Sequence, residues 1–161
     1  MGHSGSPQRG AVLLVSLVFL LLLTLLGVSS MQNATLQEKM AGSVTMRNIS
    51  FQTAEAALRL GESSIQVTGF VMTKCNSVTK CAPPSESTST TLAAGLNSNS
   101  GVTWVVVPNG FYGIQNLGTT TSPVNRPPNC SSASSVTLYR VTGVGNKGNS
   151  KTVLESIYAN C

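Results

Sequence analysis

The chain has 161 residues, a formal net charge of +5 and only 9% charged residues. Its single histidine is His3, and its acids are Glu38, Glu55, Glu62, Glu86 and Glu155, with no aspartate. That inventory excludes a Ser-His-Asp or Cys-His catalytic set from everything beyond residue 10. The bases Lys74, Lys80, Arg126, Arg140, Lys147 and Lys151 are scattered, which reads as a solvated surface and not as a nucleic-acid-binding stripe.

Residues 1–10, MGHSGSPQRG, form a polar leader whose only charge at neutral pH is Arg9. An apolar run follows at once, AVLLVSLVFLLLLTLLGV, residues 11–28, and no charged residue recurs before Glu38. A run of about 18 residues is just long enough to cross a bilayer as a helix. A secretory signal peptide has a shorter apolar region, of about 7–15 residues. Val28-Ser29-Ser30 is nevertheless a passable signal-peptidase site, and its use would leave Met31 as the first residue. A plain single-span anchor is the other simple reading. Arg9 ahead of the span favours N-in, C-out by the positive-inside rule. Gly2 with Ser6 fits a myristoylation pattern, but a full span makes a lipid anchor redundant.

No proline occurs between Pro7 and Pro83, and the pattern predicts one helix from residue 11 to about 66. Residues 11–28 are its membrane or fibre-core part and residues 29–66 its exposed half. At 1.5 Å per residue it would reach roughly 80 Å. Leu36, Met40, Val44, Phe51, Ala54, Leu58 and Ile65 recur at helical spacing and are expected to pack on a sheet. Met46, Ile49, Ala56, Ala57 and Leu60 fall on the other side, either as alanine-rich helix surface or as a contact with neighbouring subunits. Glu55, Arg59 and Glu62 read as surface ion pairs. Gly27 marks a weak point in the helix.

Residues 67–161 are expected to form the globular domain. Residues 67–101 read as a connecting region with little periodicity, carrying Pro83-Pro84 and a Ser/Thr run. Residues 102–107 are β-branched and stop at Pro108-Asn109-Gly110, and 111–117 can pair back across that turn. A Ser/Thr/Pro-rich loop covers 118–135. Residues 136–144 and 151–158 make a hairpin around 145–149. The fold class is therefore α+β: a long N-terminal helix on a small antiparallel sheet of about four strands.

The segment 8–63 resembles the N-terminus of the PilX family of type IV minor pilins. The resemblance rests on Gln8-Arg9-Gly10, Leu25-Leu26-Gly27, Glu38-Lys39-Met40-Ala41-Gly42, Arg47-Asn48 and Phe51-Gln52-Thr53-Ala54-Glu55-Ala56-Ala57-Leu58. Looser similarity continues at Tyr139-Arg140-Val141-Thr142-Gly143 and Val153-Leu154-Glu155-Ser156-Ile157-Tyr158. The resemblance implies cleavage by prepilin peptidase after Gly10 and N-methylation of Ala11. It implies residence in the bacterial inner membrane before assembly and in a surface pilus afterwards. The implied partners are the peptidase, the inner-membrane assembly platform, and other minor and major pilins, with membrane lipid before assembly. Pilins often unwind near the position of Gly27 during assembly.

One position departs from the family pattern. Pilins usually carry glutamate at the fifth position after the cleavage site, where it is thought to meet the N-terminal amine of the preceding subunit. Here that position is Val15. A buried amine without a partner is costly, so the loss fits a fibre end, where one axial neighbour is missing.

Cys75, Cys81, Cys130 and Cys161 all follow the span, and an even count in an exported chain reads as disulfides. Three pairings are possible. Cys75 with Cys81 and Cys130 with Cys161 is favoured, because the second pair clips the chain end onto the domain. A closed loop of about 32 residues is worth roughly 3–4 kcal/mol. With no C-x-x-C, no aspartate and His3 in the leader, zinc is not expected. No cofactor is called for. The sequons at Asn33, Asn48 and Asn129 carry no weight in a bacterial protein. The expected function is a structural one, a minor pilin of the type IV pilus acting at the fibre tip, in support of twitching or adhesion. The alternatives are a type II secretion minor pseudopilin, a pilus-tip adhesin or DNA-uptake pilin, and a bare anchored domain.

Overall fold

The structure is a computed structural model that describes residues 9–161. The first eight residues of the expected leader, with His3 and Gln8, lie outside the described residues. The chain divides into two units, with the break between Ser43 and Val44. The helix α1 runs over Arg9–Ile65 without interruption, and Gly27 is helical within it. No proline occurs within those 57 residues, so none of their backbone donors is lost to a ring.

In the second unit the C-terminal part of α1 packs on a five-stranded antiparallel sheet. Its strands are β1 (Gly95–Leu96), β2 (Thr103–Val107), β3 (Gly110–Thr120), β4 (Val136–Lys147) and β5 (Ser150–Asn160), in the spatial order β1-β2-β3-β4-β5. Sequential strands are spatial neighbours throughout, so the sheet is a simple meander. Four of these strands are those the sequence predicts. The fifth, β1, is a two-residue strand inside the region read as a plain connection, where Gly95 faces Trp104 and Leu96 faces Thr103. A two-residue strand carries no period to read. The same region holds the short helix α2 (Val78–Cys81) and a 3-10 turn at Ser85–Thr88.

The strands also run longer than their apolar patterns. The β4–β5 turn is only Gly148-Asn149, since Lys147 already pairs with Ser150. Gly145-Asn146-Lys147, expected in the turn, belongs to β4.

The helix meets the sheet through small residues. Ser50, Ala54, Ala57 and Ile65 are fully buried, while Leu58 is partly buried. Opposite them, Tyr139, Val141, Gly143 and Gly145 share one face of β4 at the two-residue strand period. A methyl group on Gly145 would collide with the Ser50 carbonyl and the Ala54 amide, and one on Gly143 with the Ala54 carbonyl and, at 2.8 Å, the Leu58 amide. These two glycines let the helix backbone lie directly on the strand. Gly61 does the same from the helix side, where an added methyl would stand 2.5 Å from a Val141 methyl. Toward the end of the helix the gap widens and larger side chains fill it. Ile65, Ile114, Tyr139 and Val141 form the core there, with Leu58, Phe70 and Tyr112 around them.

This contact corrects the expected stripe. Leu36, Met40, Val44 and Phe51 are exposed, whereas Ala57, expected on the far side, is buried. Hydrophobicity favours large apolar residues for the buried face, but the close backbone approach selects serine, alanine and glycine. Glu62 is corrected as well. It accepts a 2.6 Å hydrogen bond from the Ser156 hydroxyl of β5, and Arg59 pairs at 2.6 Å with Glu55 instead. Ser50 reaches the Thr152 hydroxyl at 2.8 Å, and the Asn160 amide donates to the Ile65 carbonyl at 3.3 Å, one of the orphan acceptors at the helix end.

The other face of the sheet buries Val102, Trp104 and Val144 beneath the 67–101 region. The Trp104 indole donates to Glu86 at 3.1 Å, and the Ser100 hydroxyl donates to the same carboxylate oxygen. Cys75 is joined to Cys81, and Cys130 to Cys161, with Cα separations of 5.3 and 5.7 Å. Cys130 is fully buried against Val136 and Ala159. Arg126 gathers the 118–135 loop by donating to the carbonyls of Thr121, Cys130 and Ala133.

Candidate functional site

Two regions of the chain invite a functional reading: the apolar segment at the start of α1 and the chemistry-bearing side chains of the globular unit. In the first, side chains from Val12 to Val28 are exposed, among them Val15 at 54%. The segment has mean hydropathy 3.0 over its most apolar window, and none of that window is buried within the protein. Among the described residues this is the one helix long and apolar enough to cross a membrane. Exposed leucine and valine at this density require an apolar surrounding, because burial is worth roughly 1.5–3 kcal/mol for each such side chain.

The polar atoms of this segment are already satisfied. The Ser16 hydroxyl donates to the Leu13 carbonyl at 2.9 Å, and Thr24 donates to Leu21 at 2.8 Å. Each hydroxyl therefore folds back on its own helix. The side chains of the segment therefore offer an apolar surrounding a surface with no unmet hydroxyl donor. Gly10 and Ala11 lie on this helix, in its first residues. Val15 is one turn further on and presents its methyl groups on the exposed helix surface.

In the globular unit the acids are all engaged. Glu55 holds Arg59, Glu62 holds Ser156, Glu86 holds Trp104 and Ser100, and Glu155 lies 3.6 Å from Arg140. Among the described residues no three His, Cys, Asp or Glu side chains cluster as a metal site, and no cysteine is free. Burial raises the Tyr139 phenol and lowers the Lys151 ammonium from their ordinary values. Lys151 donates to the Ser89 carbonyl, a structural contact.

Two more of the bases read as solvated are structural. Arg126 ties its loop, and Arg140 is largely buried and donates at 2.7 Å to the Cys81 carbonyl. Sequence reasoning missed both, and missed Gln115, whose amide donates to the carbonyls of Lys80 and Ala82 at 2.7 and 3.1 Å. Arg140, set between the apolar Tyr139 and Val141 within a strand, was the available signal.

A membrane-length apolar helix that continues into a small antiparallel sheet, braced by disulfides, defines a pilin-like α+β protein. Residues 9–59 match the family model described as PilX N-terminal. The match covers the apolar segment and most of the sheet-packing helix. It points to a type IV pilus-related minor pilin, a structural class that works with other pilins and with pilus assembly machinery. No curated protein and no solved structure matches the chain.

Proposed function

We propose that this chain is a minor pilin that primes type IV pilus assembly and resides at the fibre tip. The observation that carries this reading is Val15, set inside an N-terminal segment of PilX type. Prepilin peptidase would cut after Gly10, and Ala11 would be methylated. The apolar segment would hold the protein in the inner membrane, N-terminus inside, and then pass into the fibre core through the assembly platform. Without a carboxylate at position 15, the chain cannot neutralise the amine of an axial neighbour. A tip subunit is the one that lacks such a neighbour on one side.

Deleting the protein should reduce surface pili sharply, because initiation fails before elongation. Pili counted by electron microscopy in the deletion strain, and copies per fibre by quantitative mass spectrometry, check this. Normal pilus numbers with loss of host or DNA binding alone would favour a tip-binding module instead. Abundance equal to the major pilin along the shaft would contradict the tip role.

Val15→Glu gives a finer test. A carboxylate within an apolar layer is costly unless it meets an amine, by about 2.5–3.5 kcal/mol at a helix centre on insertion scales. At a tip position the new glutamate finds no partner, and pilus number should stay level or fall. Efficient entry of the variant into the shaft would show that the missing carboxylate alone kept the protein at the end.

A further inference from the structure

An open cavity of about 560 Å³ lies beside β3 in the globular unit. Its origin is visible in the strand register. β2 pairs with β3 only through Val105, Val106 and Val107 opposite Tyr112, Phe111 and Gly110. Past Tyr112 the two strands diverge, and the next pairing on that side of β3 is the isolated bridge of Lys74 to Asn116. The cavity fills the gap, between the Cys75–Cys81 loop on one side and the Leu96–Thr103 stretch on the other.

The loop wall is fixed in place. Its disulfide is supplemented by Gln115, by Arg140 on the Cys81 carbonyl, and by the Cys75 amide on the Asn116 carbonyl at 2.9 Å. The Asn116 side chain donates to the Met72 carbonyl at 2.7 Å and accepts from the Gly118 amide at 2.8 Å. These amide groups are spent on holding the wall. The groups left for a ligand are the ammoniums of Lys74 and Lys80, the amide of Asn76, the Nδ2 of Asn97, whose Oδ1 already accepts from the Asn99 and Ser100 amides, and the hydroxyls of Thr73 and Thr103. Neither ammonium has an ion-pair or hydrogen-bond partner among the described residues. Both side chains are seated: Lys74 lies across Gly118, where an added methyl would stand 2.7 Å from its Cε and 2.9 Å from its Nζ, and the Lys80 stem runs along Gly101.

We infer that this cavity binds an acidic sugar unit, a carboxylate on a ring of hydroxyls, such as a repeat of an anionic surface polysaccharide. No carboxylate lines it, so two unpaired cations set a single sign of charge in a cleft. Amides and hydroxyls match the sugar hydroxyls, and the exposed Leu96, with the half-buried Met72, offers apolar surface to the C–H face of a ring. No aromatic side chain lines it, which removes the stacking platform that single-stranded nucleic acid uses. A volume of this size falls in the usual range for small-ligand sites, and the tethered walls lower the ordering cost of binding. The inference stands on the globular unit alone and does not depend on the pilin reading.

The test is titration calorimetry on the full chain in detergent micelles. The probes are oligosaccharides of galacturonic, glucuronic and sialic acid, with neutral galactose oligomers of the same length. At least one acidic probe should bind saturably. The paired change Lys74→Ala and Lys80→Ala should weaken it about tenfold or more, the loss expected for a charge-assisted hydrogen bond. Lys147→Ala, on the exposed end of β4, should leave it unchanged. An unaltered near-UV signal from Trp104 shows that the paired variant is folded; if it is altered, Lys74→Gln takes its place. Failure of every acidic probe to bind at millimolar concentration overturns the inference. So does equal binding by the paired variant or by the neutral oligomers, and so does equally effective displacement by inorganic phosphate.

Discussion

Gly145→Val should unfasten the helix from the sheet. A side chain at Gly145 has nowhere to go, because the nearest atoms are the backbone carbonyl of Ser50 and the backbone amide of Ala54. A flexible side chain can rotate away from an intruder, but helix backbone moves only as a body. Shifting α1 outward would open the contacts of Ala54, Ala57 and Leu58 and stretch the hydroxyl pair of Ser50 and Thr152. The cost should reach the upper end of the overpacking range, about 3 kcal/mol. Urea unfolding followed by Trp104 fluorescence measures it, since Trp104 is buried on the far face of the same sheet. Gly42→Ala is the control. Nothing lies within 4 Å of a methyl group there, so the change should cost no stability. A midpoint for Gly145→Val close to that of the unaltered chain would mean that α1 does not lie on β4 as described.

Cys130→Ser should be the next most damaging change. The Cys130–Cys161 bridge joins residues 31 apart in sequence and ties Cys161, just past β5, to the 3-10 turn at Pro128–Cys130. Loop-entropy reasoning puts its loss at roughly 3–4 kcal/mol, against about 2 kcal/mol for the short Cys75–Cys81 loop. The shorter loop keeps its tethers to Gln115 and Arg140 when its disulfide is removed, so Cys75→Ser should be milder still. Urea midpoints of the two variants test the order, and non-reducing peptide mapping of the exported protein tests the pairing. Free thiols at Cys130 and Cys161 would contradict it.

The broad fold was legible because its signals are long. An apolar run without charge, an absence of proline from residue 8 to residue 82, and β-branched stretches broken by Pro-Asn-Gly and Gly-Asn lead to a helix on an antiparallel sheet. What failed was the identity of the packing face. Hydrophobicity ranks Phe51 and Met40 above Ser50, Ala57 and Gly61, yet the glycines of β4 demand small residues opposite them. Pairing a small-residue stripe on one element with glycines two apart on another requires knowing that the two elements meet. β1 was hidden for a different reason, since two residues carry no periodicity. The cavity beside β3 was hidden because it exists only where two strands diverge, and its lysines looked like ordinary surface charges. The roles of Gln115 and Arg140 depend on a loop that returns from 35 and 59 residues earlier in the chain.

The central claim is that the apolar segment at the start of α1 is a pilin N-terminus. The intact mass of the mature protein, with sequencing of its first residues, tests this most directly. A chain that starts at N-methylated Ala11 is the predicted result, and a bulky residue in place of Gly10 should leave the leader attached. A mature chain that starts at Met31 would mean that the apolar segment had been removed as an ordinary signal peptide, and the account would be wrong.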